Sequence, residues 1–234
     1  MHSSALMNGK LFFDAYVAAL GAVKVVDIGA QDVNGSLKSV CPPLAQYIGV
    51  DFVAAKGVDI VLTDPYRLPL DTDSIDVIVS SSCFEHSEMF WVLFLEIIRV
   101  LKPEGLFYLN SPSNGEFHRF PVDCYRFYPD CGNALAKWAR LNGHRTLSLE
   151  SYVSNQSGGH WNDFVSVFLK DDAHLDRHRR RILDSFSEFT NGRVHPSNGG
   201  VDTEVVFLNP ASRQEDQLGT SAKLKKKIAS LFGR

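Results

Sequence analysis

The chain has 234 residues, 44% hydrophobic and 22% charged, a composition that supports a packed core and excludes wholesale disorder. Its 24 Lys and Arg against 27 Asp and Glu give a net charge of −3, which argues against general affinity for nucleic acid. No apolar run approaches the roughly 18 residues of a spanning helix, and Cys41, Cys83, Cys124 and Cys131 lack CxxC spacing, as expected of free thiols in a reducing cytoplasm.

Residues 1–21 read as an amphipathic helix rather than a secretory leader, because no basic region runs into an apolar one. Residues 23–28, 46–52, 58–63 and 75–80 are short β-branched runs of the kind that make buried parallel strands, and residues 106–110 add a fifth. Between the fourth and fifth, residues 84–101 place Phe90, Leu93, Phe94, Ile97, Ile98 and Leu101 at helical spacing. Lys102-Pro103-Glu104-Gly105 predicts a turn that ends this helix. The alternation argues for a parallel α/β sheet with right-handed crossovers.

After residue 110 the rhythm changes. Residues 111–130 read as a polar, aromatic loop, residues 131–142 as a helix, and residues 147–153 and 164–169 as two more strands. Residues 171–189, with Arg177, Arg179, Arg180 and Arg181, predict a charged helix with an exposed face. Residues 191–200 read as a Gly-rich loop and residues 203–208 as a strand. The expected partition is a main domain over 1–170, a helical and strand extension over 171–212, and a basic amphipathic tail over 213–234. Five of the 24 basic residues lie in 218–234 with no acidic residue, leaving 19 against 27, a charge of −8, elsewhere.

The first strand ends Asp27-Ile28-Gly29, and a loop containing Gly35 follows. A glycine at such a turn lets backbone approach a ligand at the carboxyl edge of a sheet. Asp51 ends the second strand 22 residues beyond Gly29, where a carboxylate can accept both hydroxyls of an adenosine ribose. Asp64, followed by Pro65, ends the third. Gln31 and Val33 stand where a dinucleotide fingerprint has glycines, so a ligand without a pyrophosphate fits better than a nicotinamide dinucleotide.

The segments VVDIGAQDVNGSL (25–37), YIGVDF (47–52), VDIVLTDPYRLPL (58–70), FEHSEMFWVLFLEIIRVLKPEG (84–105) and LFYLNSPS (106–113) carry a resemblance. Over about residues 10–170 the chain resembles a class I S-adenosylmethionine-dependent methyltransferase. The resemblance implies a Rossmann-like α/β fold, a seven-stranded, mostly parallel sheet with helices on both faces and an antiparallel last strand. It implies S-adenosylmethionine as cofactor, with Gly29 and its neighbours against methionine and ribose, Asp51 on the ribose hydroxyls, and Asp64 and Pro65 beside the adenine. The cofactor set is completed by Asp27, Ala30, Gln31, Gly35, Phe52 and Ser81.

The activated sulfonium needs in-line positioning and, for a weakly acidic acceptor, a base. His118 in the 115–129 loop has the right pKa range, and Asp123 and His86 are the other catalytic candidates. Arg119, Tyr125, Arg126, His160 and Trp161 are candidates for holding the acceptor. The plainer alternative is that Arg119 and Asp123 form an ion pair bracing the loop. No metal-ligand spacing is evident.

Segments SSSCFEHS and HRFPVDCYRFYPD also resemble methyltransferases associated with carbohydrate and surface-polysaccharide biosynthesis. That implies O-methylation of a sugar hydroxyl on a saccharide or glycolipid. The alternatives are N- or O-methylation of a small metabolite, or a catalytically inactive cofactor-binding partner subunit. Leu224, Ile228, Leu231 and Phe232 share one helical face opposite lysines, which gives an expectation of peripheral contact with an inner membrane face from the cytoplasm. A docking helix or an unstructured tail is the alternative, and a homodimer stays open.

Overall fold

The computed structural model describes residues 2–155, 161–197, 203 and 206–208. Strands β1 (Lys24–Ile28), β2 (Gln46–Asp51), β3 (Ile60–Val61), β4 (Ile75–Ser81), β5 (Leu101–Pro112), β6 (Leu147–Ser154), β7 (Asp163–Leu169), β8 (Phe189–Val194) and β9 (Val206–Leu208) make one sheet. Its order is β3-β2-β1-β4-β5-β7-β6-β8-β9. β1 to β5 pair in parallel, β7 inserts antiparallel between β5 and β6, and β8 and β9 continue antiparallel beyond β6. The order over β1 to β7 is that of the expected Rossmann-like methyltransferase fold; among the described residues the sheet has nine strands rather than seven.

Alternate residues of these strands feed two cores. Val26, Ile28, Ile78, Phe107 and Phe168 face one side, where α2 (Phe90–Val100) buries Leu93, Phe94, Ile97 and Ile98 and α3 (Asp130–Leu141) buries Leu135 and Ala139. Val25, Val77, Tyr108, Leu149 and Val167 face the other, covered by α1 (Ser3–Phe12) and the π-helical turn Phe13–Val17. The two-residue period of the strands and the helical period of α2 therefore meet on one buried surface.

Four expectations change. The 84–101 helix is two pieces, a 3-10 turn at Phe84–His86 and then α2, separated by a segment where Ser87 is extended. Lys102–Gly105 does not turn; it bulges within β5, whose partner register jumps from Ile75↔Leu101 to Val77↔Leu106. The charged helix over 171–189 is instead two 3-10 turns, Asp172–Arg177 and Ile182–Asp184. There the buried Glu150 carboxylate accepts the N–H groups of Ile182 (2.8 Å) and Leu183 (3.1 Å), amides that a helix would direct at its own preceding turn. Buried Arg181 likewise occupies the carbonyls of His178, Arg180 and His195. Finally, the first part of the Gly-rich loop expected over 191–200 is β8. Through β8 and β9 the 171–212 extension joins the sheet, and its Leu175, Ile182 and Phe189 join the second core. The tail over 213–234 lies outside the described residues.

Candidate functional site

The carboxyl ends of β1, β2, β4 and β5 carry the predicted residues. Gly29 has φ +82°, and its N–H donates to the Val50 carbonyl at 2.9 Å. A Cβ there would sit 2.6 Å from Cys83 Cβ, so only glycine fits both the backbone and the space. The next N–H, of Ala30, also donates to Val50 O (3.2 Å). Asp51 Oδ2 accepts the Gln31 N–H (3.3 Å), while Oδ1 accepts those of Phe52 (2.7 Å) and Val53 (3.3 Å). One carboxylate thus joins the loop after β1 to the loop after β2, and Phe52 beside it is 50% exposed.

Asp27 lies lower, buried, with Oδ2 accepting the Tyr47 hydroxyl at 2.7 Å. Burial pushes its carboxyl up to about 7, against the pull of the Tyr47 hydrogen bond, and the Asp51 charge pushes the same way. Gly35 sits further along the loop, its N–H held by Asp32 (2.8 Å), which also pairs with Lys56 (2.7 Å). Asp64 is exposed and accepts the Tyr66 N–H (2.8 Å), the geometry of a local turn; Pro65 is exposed beside it. Ser81 is buried at the β4 end, where its hydroxyl accepts from Asn110 on β5 (3.4 Å), and Asn110 in turn accepts from Asn8 of α1 (3.2 Å).

Directly after β4 comes the second half of the site. Cys124 and Tyr125 donate their N–H groups to the Glu85 carbonyl at 2.8 and 3.2 Å, and His86 Nδ1 meets the Val122 carbonyl at 2.5 Å. The 113–129 loop is therefore folded onto the Glu85–His86 turn. His86 and His118 stack edge to face with ring centroids 5.0 Å apart. Phe120 lies 6.4 Å from His86, and Trp161 lies edge-on to His118 at 5.1 Å. Asp123 grips Arg126 at two points, Oδ1 to Nη1 at 2.6 Å and Oδ2 to Nη2 at 2.8 Å, and also accepts the His118 backbone N–H at 2.7 Å. The Arg126 fork, against the opposing effect of burial, holds the Asp123 carboxyl down at about 2.

The brace of the loop is thus Asp123–Arg126, not the Arg119–Asp123 pair of the sequence reading; Arg119 is exposed, its Nε donating to Pro121 O at 3.1 Å. Tyr125 turns away toward α2, packing edge-on to Phe90 at 4.9 Å and donating its hydroxyl to Glu88 O at 2.9 Å. Trp161 reaches the cluster, with the Arg126 guanidinium 5.8 Å over its ring. His160 lies outside the described residues.

Absent from the predicted catalytic set is Glu85, only 1% exposed. Among the described residues neither of its carboxylate oxygens has a hydrogen-bond partner; His86 Nε2 stands 3.7 Å from Oε1. Burial pushes its carboxyl up to about 8, against the pull of its own backbone N–H, the Ser111 hydroxyl and the Arg126 charge. Burial also lowers the His86 pKa. Adjacency to His86 in the Glu-His pair was the sequence signal for Glu85; Asn8 had none, since nothing in an N-terminal helix marks a residue that reaches β5.

The sheet defines a Rossmann-like α/β architecture, and residues 16–109 match the methyltransferase domain family. The chain is 30% identical over 134 residues to an uncharacterized methyltransferase of Mycobacterium avium (strain 104), covering 55% of this chain and 47% of that protein. It thus spans about half the length of the curated relatives it matches. Among solved structures it is similar to a 1,6-didemethyltoxoflavin-N1-methyltransferase of Burkholderia thailandensis, crystallised with 1,6-didemethyltoxoflavin and S-adenosylhomocysteine (TM-score 0.57, 15% identity, 72% of this chain and 79% of that one). It is also similar to the [4+2]-cyclase SpnF (TM-score 0.51, 15% identity, 71% and 81%), so the fold by itself does not fix a reaction.

Proposed function

We propose that the chain is an S-adenosylmethionine-dependent methyltransferase acting on a hydroxyl of a saccharide or glycolipid. The cofactor half fits. Asp51, at the β2 end, keeps acceptor capacity beyond its backbone bonds for a ribose diol, and the Gly29 turn, tight against Cys83, starts the loop whose Gln31 N–H bonds the same carboxylate. When bound, the cofactor supplies an activated methyl group on a sulfonium. Gly29, Ala30, Gln31, Asp51 and Phe52 would hold it, with Ser81 and Asn110 at the floor between β4 and β5.

The observation that carries the acceptor class is the character of the 113–129 loop. Titratable Glu85, His86 and His118 converge there between the rings of Phe120 and Trp161, while Arg126 and Asp123 hold the loop in place. Aromatic faces suit the apolar faces of a sugar ring, fixed polar groups suit its hydroxyls, and a titratable cluster suits removal of an alcohol proton. Phe117, the residue before His118 in the chain, is 75% exposed.

The test begins with calorimetric titration of S-adenosylhomocysteine, with NAD as control, followed by a screen of sugar acceptors for methyl transfer. Micromolar binding of the former, none of NAD, and label transfer to a saccharide hydroxyl are expected. Transfer only to nitrogen acceptors would overturn the acceptor class, and no binding of S-adenosylhomocysteine would overturn the reading as a whole.

A further inference from the structure

We infer that Glu85, His86 and His118 form a binding site for one divalent transition-metal ion, such as zinc. One ligand atom from each lies within 4.8 Å of the others. Two imidazoles and a carboxylate are three borderline-to-hard donors, the set that leaves a fourth position open in catalytic zinc sites. Ligand atoms about 2.1 Å from a tetrahedral ion stand about 3.4 Å apart. His86 Nε2 and Glu85 Oε1 are already at 3.7 Å, so the remaining closure falls mostly on His118, whose side chain is partly exposed on the loop.

Two independent features point to a ligand. The Glu85 carboxyl is buried at 1% exposure, and although the Ser111 hydroxyl and its own backbone N–H pull on it, neither oxygen has a hydrogen bond of full geometry among the described residues, a costly arrangement unless something else satisfies it. His86 has its Nδ1 committed to the Val122 carbonyl, which orients the ring and leaves Nε2 toward Glu85, the outer hydrogen bond typical of a metal-bound imidazole. The nearby Arg126 charge, which would repel a cation, is answered by the two-point grip of Asp123.

Binding of the ion rests on this geometry alone. Its use rests on the methyl-transfer reading: an ion held by these three side chains would have a position left for an alcohol oxygen of the acceptor and would make it more acidic. With an ion bound, His86 and His118 would serve as its ligands rather than as bases, and the ion would supply the acidification of the acceptor hydroxyl.

The experiment is calorimetric titration of the full chain with zinc chloride after removal of metals, repeated with cobalt(II) to read its visible absorption. Glu85→Gln, His118→Asn and, as control, His174→Asn are compared, each first checked for folding by its melting curve. One ion per chain is expected, bound tighter than about 100 μM, with affinity falling at least about tenfold in Glu85→Gln and His118→Asn but unchanged in His174→Asn. Should Glu85→Gln fail to fold, His118→Asn on the exposed loop decides. Weaker binding by the native chain, or binding that His118→Asn leaves intact, overturns the site. Titrating the same samples with S-adenosylhomocysteine separates the two readings. Cofactor binding without zinc removes only the metal, and zinc binding without cofactor removes only the methyltransferase.

Discussion

Asp123 and Arg126 form a two-point ion pair whose Oδ2 also holds the backbone of His118. The pair does more than fix a loop, because the same carboxylate sets the position of an imidazole edge-on to both His86 and Trp161. Its energetic weight comes from charge-assisted hydrogen bonds in a part-buried setting, each stronger than a neutral one.

Replacing Asp123 with Asn keeps the shape and removes the charge. We expect about 2 kcal/mol of lost stability, the scale of hydrogen bonds to charged groups. Acceptor turnover should fall sharply, while affinity for S-adenosylhomocysteine stays at the native value because the β1 and β2 loops are untouched. Melting curves and calorimetry on one preparation read both; a loss of cofactor affinity would mean that the loop also shapes the cofactor half.

Asp51 makes the opposite split. In Asp51→Ala the N–H groups of Gln31, Phe52 and Val53 lose their shared acceptor. Affinity for S-adenosylhomocysteine should drop at least about tenfold, since each lost hydrogen bond to a charged group costs roughly 1.5–3 kcal/mol. Asp51→Asn, which keeps one acceptor oxygen, should fall between. Unchanged titrations in both variants would take Asp51 out of the cofactor site.

Gly29→Ala tests the turn itself. The added methyl would meet Cys83 Cβ at 2.6 Å, and φ +82° is unfavourable for alanine. Roughly 1–3 kcal/mol of strain is expected, and cofactor binding should weaken with it. Native stability together with native affinity would show that the loop after β1 relaxes freely, contrary to its two hydrogen bonds to Val50 O.

How much of this was readable before the structure follows from which forces are local. β1 and β4 were visible because Val25 and Val26, and Val77 and Ile78, are buried on opposite faces of a sheet, and a run of β-branched residues has few other uses. Asp51 and Gly29 were visible because strand ends fix their place. The helix expected over 171–189 failed because its amides are taken by Glu150, a residue on β6 some 30 positions earlier, which no local period encodes. The partner of Asp123 was misassigned for a similar reason. Arg119 and Arg126 are both close in sequence, and only the fold of the loop onto Glu85 and His86 selects Arg126. Asn8 reaching Asn110 is a contact across 102 residues and left no trace in the pattern.

The pH dependence of stability has a readable contributor in Asp27. Burial holds its carboxyl near 7 in the folded chain, against about 3.9 when unfolded. Between these values the folded state keeps a proton that the unfolded state has released. The contribution of Asp27 is therefore fully present below about pH 4 and is lost as pH rises through about 7, by an amount on the order of a few kcal/mol. Asp27→Asn cannot ionise, yet its side-chain oxygen can still accept the Tyr47 hydroxyl. Urea unfolding of both proteins at pH 5 and pH 7.5 isolates the effect, because other groups titrate alike in each. The native chain should lose more stability than the variant over that interval. Equal losses would mean that water reaches Asp27 in solution and that its carboxyl titrates in the ordinary range.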